Sequence, residues 1–415
     1  MRRDFLREVL TSLIMLELEE AQQRILAIVK PLASEVVPLD IAVGRPLAES
    51  MTASIDLPVF DNSAMDGYAV RAEDVARASA DQPVSLRLLG RVAAGEISRE
   101  EVRPGTCVRL FTGSPLPRGA DAVVMQEDTR LNPVQPDQVL FLESVTPWEA
   151  VRLKGEDVRK GAVLTGIGER LTTGRIALLA AAGWKEVRVG SRPIVGLVAT
   201  GSELQEGGQL LGPGQIYESN RATLSALVFQ AGGKPKPFPL VQDDLIATQA
   251  FLEQAFAECD VVVTSGGVSV GEFDFVKNAF ERMGGELMFW KVAIKPGKPF
   301  VLGQWRRKLL FGLPGNPVSA LVTFLLLVRP ALLRLQGASD LFLPAHNGIL
   351  AEAVVNRGGR RHFMRVAVGS GGNVHSAGTQ ASHFLSSLAQ ANGLLDVPPR
   401  TSLATGETVS VLRWE

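Results

Sequence analysis

Cysteine is almost absent from this 415-residue chain, which carries only Cys107 and Cys259. Two thiols cannot build a disulfide framework or a Cys-rich zinc site, and both stand in apolar surroundings that read as buried structural positions. Histidine is equally sparse. His346, His362, His375 and His383 are scattered without a His-x-x-x-His pair, which disfavours a transition-metal centre. Neither sign of charge is in excess: 43 Lys and Arg face 44 Asp and Glu, a net charge of −1. No global attraction to nucleic acid or an anionic membrane follows, so an anionic ligand must be held by local cations or backbone amides. Long hydrophobic runs are missing too. The longest, residues 318–328, meets Arg329-Pro330 and falls short of a bilayer span. The basic start is followed by Arg7, Glu8, Glu17, Glu19 and Glu20, which make a poor signal peptide. The expectation is a cytoplasmic protein, with Met15 as good a start as Met1.

Apolar and charged residues are present in ordinary globular proportion, 46% and 21%, enough apolar area to exclude general disorder. The length calls for several domains. Glycine (41) and proline (24) are plentiful and point to many turns and strands. Helical apolar spacing at Leu16, Ile25, Leu26 and Val29 ends at Pro31. Residues 59–145 change to short alternating runs, and an Ala- and Leu-rich helix returns over 171–182. From 192 to 336 strands alternate with helices, the pattern of a parallel sheet covered on both faces. The last stretch alternates again between Gly-rich turns. The expected architecture is multidomain α/β plus β. It comprises a discontinuous helical domain (1–58 and 147–190), an inserted β domain (59–146), a doubly wound α/β domain (191–336) and a C-terminal β domain (337–415).

Three glycine-rich loops follow strands of the α/β segment: Thr200-Gly201-Ser202-Glu203, then Ser265-Gly266-Gly267-Val268-Ser269, then Pro314-Gly315-Asn316. Glycine lets backbone approach an anion, and amides at the next helix start point toward it. One such loop could be a mere turn; three on one sheet edge read as a phosphate-binding mouth. None is a Walker A or G-x-G-x-x-G fingerprint, which disfavours an ordinary ATPase or NAD enzyme. Lys295-Pro296-Gly297-Lys298-Pro299 places two lysines on a stiff turn suited to anions, although exposed lysines are also commonly just solvated. Glu203, Asp243, Asp244, Glu272 and Asp274 accompany the loops. Acids beside phosphate imply a divalent cation with oxygen ligands, Mg²⁺ being usual.

Taken together, DNSAMDGYAV (61–70), TGSPLP (112–117), KGED (154–157), TGSEL (200–204), IYESNR (216–221), SGGVSVGEFD (265–274), KPGKP (295–299) and GLPGNP (312–317) are distinctive. The chain closely resembles the molybdopterin molybdenumtransferase family, the family of bacterial MoeA and the gephyrin E domain. It departs in fourteen extra N-terminal residues and in Gly201-Ser202-Glu203 where Gly-Asp-Glu is common. The resemblance implies a homodimer of elongated four-domain subunits, with an α/β domain like that of the molybdopterin adenylyltransferases and a C-terminal β barrel. The active site would be shared between subunits. It implies Mg²⁺-dependent insertion of molybdate into adenylylated molybdopterin, yielding molybdenum cofactor and AMP. Lys295 and Lys298 would hold anions and stabilise charge on the cleaved phosphoanhydride, with Gly201, Ser265, Gly266, Gly267, Ser269, Pro314, Gly315 and Asn316 lining the substrate site. Asp244, Glu203 and Asp274 would position Mg²⁺ or organise the loops. Asp66, Thr112 and Asp157 would close the site from the neighbouring subunit, and Arg365 and Ser382 would add contacts from the barrel. A molybdopterin adenylyltransferase or a molybdoenzyme would be the passing partner. The alternatives are the adenylyl-transfer step itself, or a non-catalytic scaffold of the gephyrin kind.

Overall fold

The computed structural model describes residues 15–267 and 275–414. A six-stranded sheet lies at its centre, in the order Lys234–Pro237, Ile194–Ala199, Val261–Ser265, Lys308–Leu313, Val301–Trp305, Glu286–Trp290. Val261–Ser265 is buried at every position, as a strand between two helical layers must be. Val195, Leu197, Val261 and Val263 face one layer, with the helix Asn220–Gln230. Val198, Val262 and Leu310 face the other, with Leu245–Glu258 and Phe275–Arg282. The fully parallel sheet expected from the sequence is corrected: four strands run parallel, and the last two pair antiparallel. Only Arg306 and Arg307 join Val301–Trp305 to Lys308–Leu313, and Arg306 takes φ 57°. Two residues can close only a hairpin, because a parallel crossover needs a dozen or more.

Helix follows the last parallel strand without a break from Pro317 to Leu335. It is long and apolar enough to cross a bilayer, yet 89% of its most apolar window is buried inside the protein. The helix runs on past Arg329-Pro330, where the apolar run itself stops. The helix widens to a π turn over Phe324–Val328 before continuing as Arg329–Leu335. Proline offers no N–H to the carbonyl four residues back, and that carbonyl, Leu326 O, accepts from Gln22 Nε2 at 2.9 Å. Gln22 lies on the helix Leu18–Ile28, whose Leu18, Ala21 and Ile25 join the same core.

The expected helical domain is therefore changed in composition. Its first helix packs on the α/β core, while the rest is tied by strands, Ser34–Pro38 with Glu186–Gly190 and Met51–Thr52 with Val163–Thr165. Val37, Leu39, Leu47 and Met51 share a core with Leu171, Leu179, Val187 and Val189, around one nine-residue helix, Thr173–Ala181. Between these pairs the chain makes a second six-stranded sheet, including Gly67–Val70, Thr106–Leu110 and Ala122–Met125.

At the C-terminal end Arg361–Val368, Asn373–Ser376, Ala345–Leu350, Thr408–Arg413 and Gly393–Val397 form a ring, closed by pairing of the last strand with the first. Ile294–Lys295 adds to this barrel beside Arg361–Val368, with Lys295 opposite His362. That pairing fixes the lysine turn between the barrel and the α/β sheet.

Candidate active site

The strands Ile194–Ala199, Val261–Ser265 and Lys308–Leu313 end on one sheet edge, and their three loops line a cleft of about 730 Å³. Backbone crowding demands the glycines at the middle loop. Gly266 has φ +88°, and a Cβ there would lie 2.6 Å from Thr200 O; at Gly267, φ +66°, it would lie 2.7 Å from Val276 Cγ2 and 2.9 Å from Thr200 Oγ1. Gly315 differs: its nearest neighbour would be Gly266 Cα at an ordinary 3.7 Å, so the protein has room for a methyl that the cleft would lose. Asn220 joins the loops, its Nδ2 donating to Ser265 Oγ at 2.6 Å and Gly315 O at 2.7 Å. Its Oδ1 and the Oγ1 of Thr200 are buried without a partner in the wall of this cleft. Buried polar atoms left unpaired are costly. Nothing in the sequence beyond its place in IYESNR marks Asn220, because an asparagine at a helix start reads as a cap.

Next to the cleft, sharing Asn316 and His383 with it, is a cavity of about 650 Å³ lined by Lys295, Lys298, Arg360, Ser319 and Ser382. No carboxylate of a described residue lies within 4.0 Å of either lysine ammonium. Gly297, φ +110°, sets the turn: a Cβ there would meet Thr323 Cγ2 at 2.5 Å. Arg360 is braced by donating to Ile294 O at 2.8 Å. Behind the lysines His362 is 5% exposed. Burial, then the charges of Lys295, Arg365 and Arg360, push its pKa down to about 4. The imidazole is therefore neutral at pH 7, and the positive potential belongs to the lysines and arginine.

Arg365 does not line either cavity and is fully buried. It donates from Nη2 to Thr379 O and Ala381 O at 2.7 and 3.1 Å, and from Nε to Ser387 Oγ at 2.9 Å, fastening the loop that carries Ser382 and His383. Its Nη1 is buried without a partner. Asn316 precedes the long buried helix without capping it through its side chain.

Glu203 and Asp243 line the glycine cleft. One oxygen of Asp243 accepts from the Ser202 amide at 3.0 Å. Asp244 is the N-cap of Leu245–Glu258, its Oδ1 accepting from the Ala247 amide at 2.7 Å, and it does not line the cleft. Ser269, Glu272 and Asp274 lie outside the described residues. Among the described residues no three His, Cys, Asp or Glu gather as a metal cluster.

Asp66, Thr112 and Asp157 line neither cavity of their own chain. Asp66 Oδ1 accepts from Thr112 N and Oγ1, each at 2.8 Å. The Thr112 amide and then its hydroxyl hold the Asp66 carboxyl below the usual carboxylate range. Val59, Phe60 and Met65 around it are 49%, 44% and 45% exposed, an apolar fringe on a charged motif.

Known proteins are similar to this chain along most of its length. The curated molybdopterin molybdenumtransferase of Haemophilus influenzae is 39% identical over 408 residues, 96% of this chain and 98% of that protein. This chain belongs to the molybdopterin molybdenumtransferase family. The Bacillus subtilis molybdopterin molybdenumtransferase is 36% identical over 404 residues, 95% and 93% of the two chains. The solved molybdopterin biosynthesis moeA protein from Pyrococcus horikoshii superposes with a TM-score of 0.83 at 33% identity, covering 97% of this chain and 100% of that one. Within the family, the model of the MoeA N-terminal region (domain I and II) matches residues 16–183. A probable molybdopterin binding domain matches 196–334, and the MoeA C-terminal region (domain IV) matches 347–414. The three glycine loops and both lysines thus fall in the second match, Asp66, Thr112 and Asp157 in the first, and Arg365 and Ser382 in the third.

Proposed function

We propose that this chain inserts molybdate into adenylylated molybdopterin, releasing AMP and the finished molybdenum cofactor, as a cytoplasmic homodimer that receives substrate from a molybdopterin adenylyltransferase and passes product to molybdoenzymes. The observation that carries this reading is the pair of adjoining cavities. A cleft walled by backbone loops suits a pterin nucleotide, and an adjoining cavity with unpaired cations suits the oxyanion that must meet it. No nucleophilic side chain is required. Gly266, Gly267 and Gly315 let the substrate approach the backbone. Lys295, Lys298 and Arg360 hold the oxyanion and stabilise negative charge as the phosphoanhydride breaks. Ser382 completes the wall, held by Arg365, whose Nη1 is a spare donor at the rear.

The donor set fits Mg²⁺, since hard cations take oxygen ligands and are often held by one or two carboxylates plus substrate phosphate. Glu203 and Asp243 supply such oxygens in the cleft, and Asp274 follows the same loops in sequence. Asp244 would act indirectly, by fixing the helix behind Asp243. The ion would offset pyrophosphate charge that these acids would otherwise repel. Asp66, Thr112 and Asp157 would close the cleft of a neighbouring subunit, which their absence from the cavities of their own chain supports. The divisions at 58/59, 146/147, 190/191 and 336/337 would then separate the two closing domains, the substrate domain and the barrel.

The test is AMP release by the purified chain from adenylylated molybdopterin. Release should require molybdate and Mg²⁺ and fall on the order of 10²-fold in Lys298→Ala, by analogy with loss of an oxyanion donor. AMP release indifferent to molybdate would overturn the reading. Formation of adenylylated molybdopterin from ATP would instead make the chain an adenylyltransferase.

A further inference from the structure

On a separate face, a cavity of about 620 Å³ opens where three parts of the chain meet. Arg170 reaches it from just before the helix Thr173–Ala181, Arg329 from the long buried helix, and Arg413 from the end of the last barrel strand. Two half-buried arginines elsewhere in the protein have paired acid partners. Arg221 pairs with Glu206 and Glu218 at 2.7 and 3.0 Å, and Arg361 with Asp396 and Glu19. These three have none: no carboxylate of a described residue lies within 4.0 Å of any of them. Arg170 and Arg329 instead make single bonds to carbonyls, Gly44 O at 3.2 Å and Leu341 O at 3.0 Å. The Nε of Arg413 is buried with no partner at all. Asp340 is the one acid in a wall that also carries Phe342 and Trp414. Burial and then the charge of Arg170 weigh against the charge on Arg329, with Asp340 alone in its favour. Guanidinium groups do not escape such crowding by losing a proton. A bound anion would relieve it.

We propose that the Arg170–Arg329–Arg413 cavity is a second anion site, taking a phosphate dianion either free or carried on a small nucleotide. Planar forks of donors match tetrahedral oxyanions in paired hydrogen bonds. The cavity exceeds the size of a bare ion, and the Phe342 and Trp414 side has room for an attached organic group. A ligand here ties the N-terminal region, the α/β domain and the barrel together. Binding should therefore stabilise the whole chain, because a ligand bound only by the folded state raises its stability. The proposal does not depend on the catalytic reading.

Calorimetric titration of the full chain with inorganic phosphate and with AMP, at constant ionic strength, tests it. Both titrations are run in wild type, Lys298→Ala, Arg329→Gln and Arg413→Gln. Saturable binding should persist in Lys298→Ala and weaken at least tenfold in each arginine variant, and the rise in Tm that phosphate gives wild type should shrink in step. Arg413→Gln removes a group whose Nε has no partner, so it stands as the test if Arg329→Gln folds poorly through loss of its bond to Leu341. Equal affinity of the Arg413-dependent site for phosphate and AMP identifies the free ion as sufficient. Tighter AMP binding that is lost in Arg413→Gln brings in the aromatic wall, and AMP binding that Arg413→Gln leaves intact belongs to the glycine cleft. Absence of saturable phosphate binding in wild type, phosphate binding unchanged in Arg413→Gln, or phosphate binding abolished by Lys298→Ala would each overturn the proposal.

Discussion

Gly266 and Gly315 sit on neighbouring loops of one cleft, yet a methyl group meets different surroundings at each. At Gly266 it would strike Thr200 O at 2.6 Å on a backbone of φ +88°, so Gly266→Ala should cost at least the ~1–3 kcal/mol of a strained position. At Gly315 it meets only Gly266 Cα at 3.7 Å. Gly315→Ala should keep stability within ~0.5 kcal/mol of wild type, as open positions do, while weakening occupancy of the cleft. Urea denaturation and AMP release measured on both variants separate the two roles. A second residue-scale outcome concerns pH. His362 is held to about 4 from an ordinary 6.5, so between these values the unfolded chain binds a proton that the folded chain does not. Stability should fall by ~1.4 kcal/mol per pH unit as pH drops from about 6.5 toward 4, and this group should contribute no slope above that window. His362→Leu should remove that part of the stability–pH curve; an unchanged curve would mean the imidazole is not buried neutral. Legibility was uneven at this scale. Asp244 could be read as a cap because it stands just before an apolar helical run, whereas Asn220 could not be placed, since its partners Ser265 and Gly315 are 45 and 95 residues away.

Helix Leu18–Ile28 and the helix from Pro317 to Leu335 are coupled by the bond from Gln22 to Leu326 O, made where Pro330 leaves that carbonyl without its helical donor. Gln22→Leu keeps the bulk but strands a buried carbonyl, at a cost of ~1–3 kcal/mol. Pro330→Ala supplies an N–H to the same carbonyl, so the cost of Gln22→Leu should shrink in that background. A double-mutant cycle by chemical denaturation reads the coupling directly, and additive effects would mean the two groups do not compensate one another. The apolar spacing of residues 15–30 announced this helix and its buried face, but a stripe of Leu and Ile does not say which core it joins. In the same way, the strand-loop alternation from 192 placed the glycine loops on one sheet edge through the parallel strands Ile194–Ala199, Val261–Ser265 and Lys308–Leu313. The antiparallel edge was illegible because Arg306-Arg307, which makes the hairpin, is not a turn sequence by composition; the left-handed Arg306 is imposed by the strands it joins.

At the scale of the whole molecule, the two halves of the motif set stay apart within one chain. Lys298 faces the cavity beside the barrel, while Asp157 is exposed on the segment 147–190 and lines neither cavity. If each site is built from two subunits, a dimer pairing one Asp157→Ala chain with one Lys298→Ala chain contains one site with both lesions and one with neither. Random exchange of equal amounts makes half of the dimers mixed, so by twofold symmetry about a quarter of all sites should be intact. AMP release by the mixture should recover to about a quarter of the wild-type rate, against near-background rates for either variant alone. A site complete within one chain would give no recovery, because every chain then carries a lesion in its own site. The apolar fringe of Val59, Phe60 and Met65 offers an independent check on the same assembly. Charge placed there, as in Phe60→Glu, should weaken subunit association and activity together while leaving the core of the chain folded. Sedimentation equilibrium and far-UV dichroism on that variant separate loss of the dimer from loss of the fold. A variant that still associates as wild type would remove this surface from the interface.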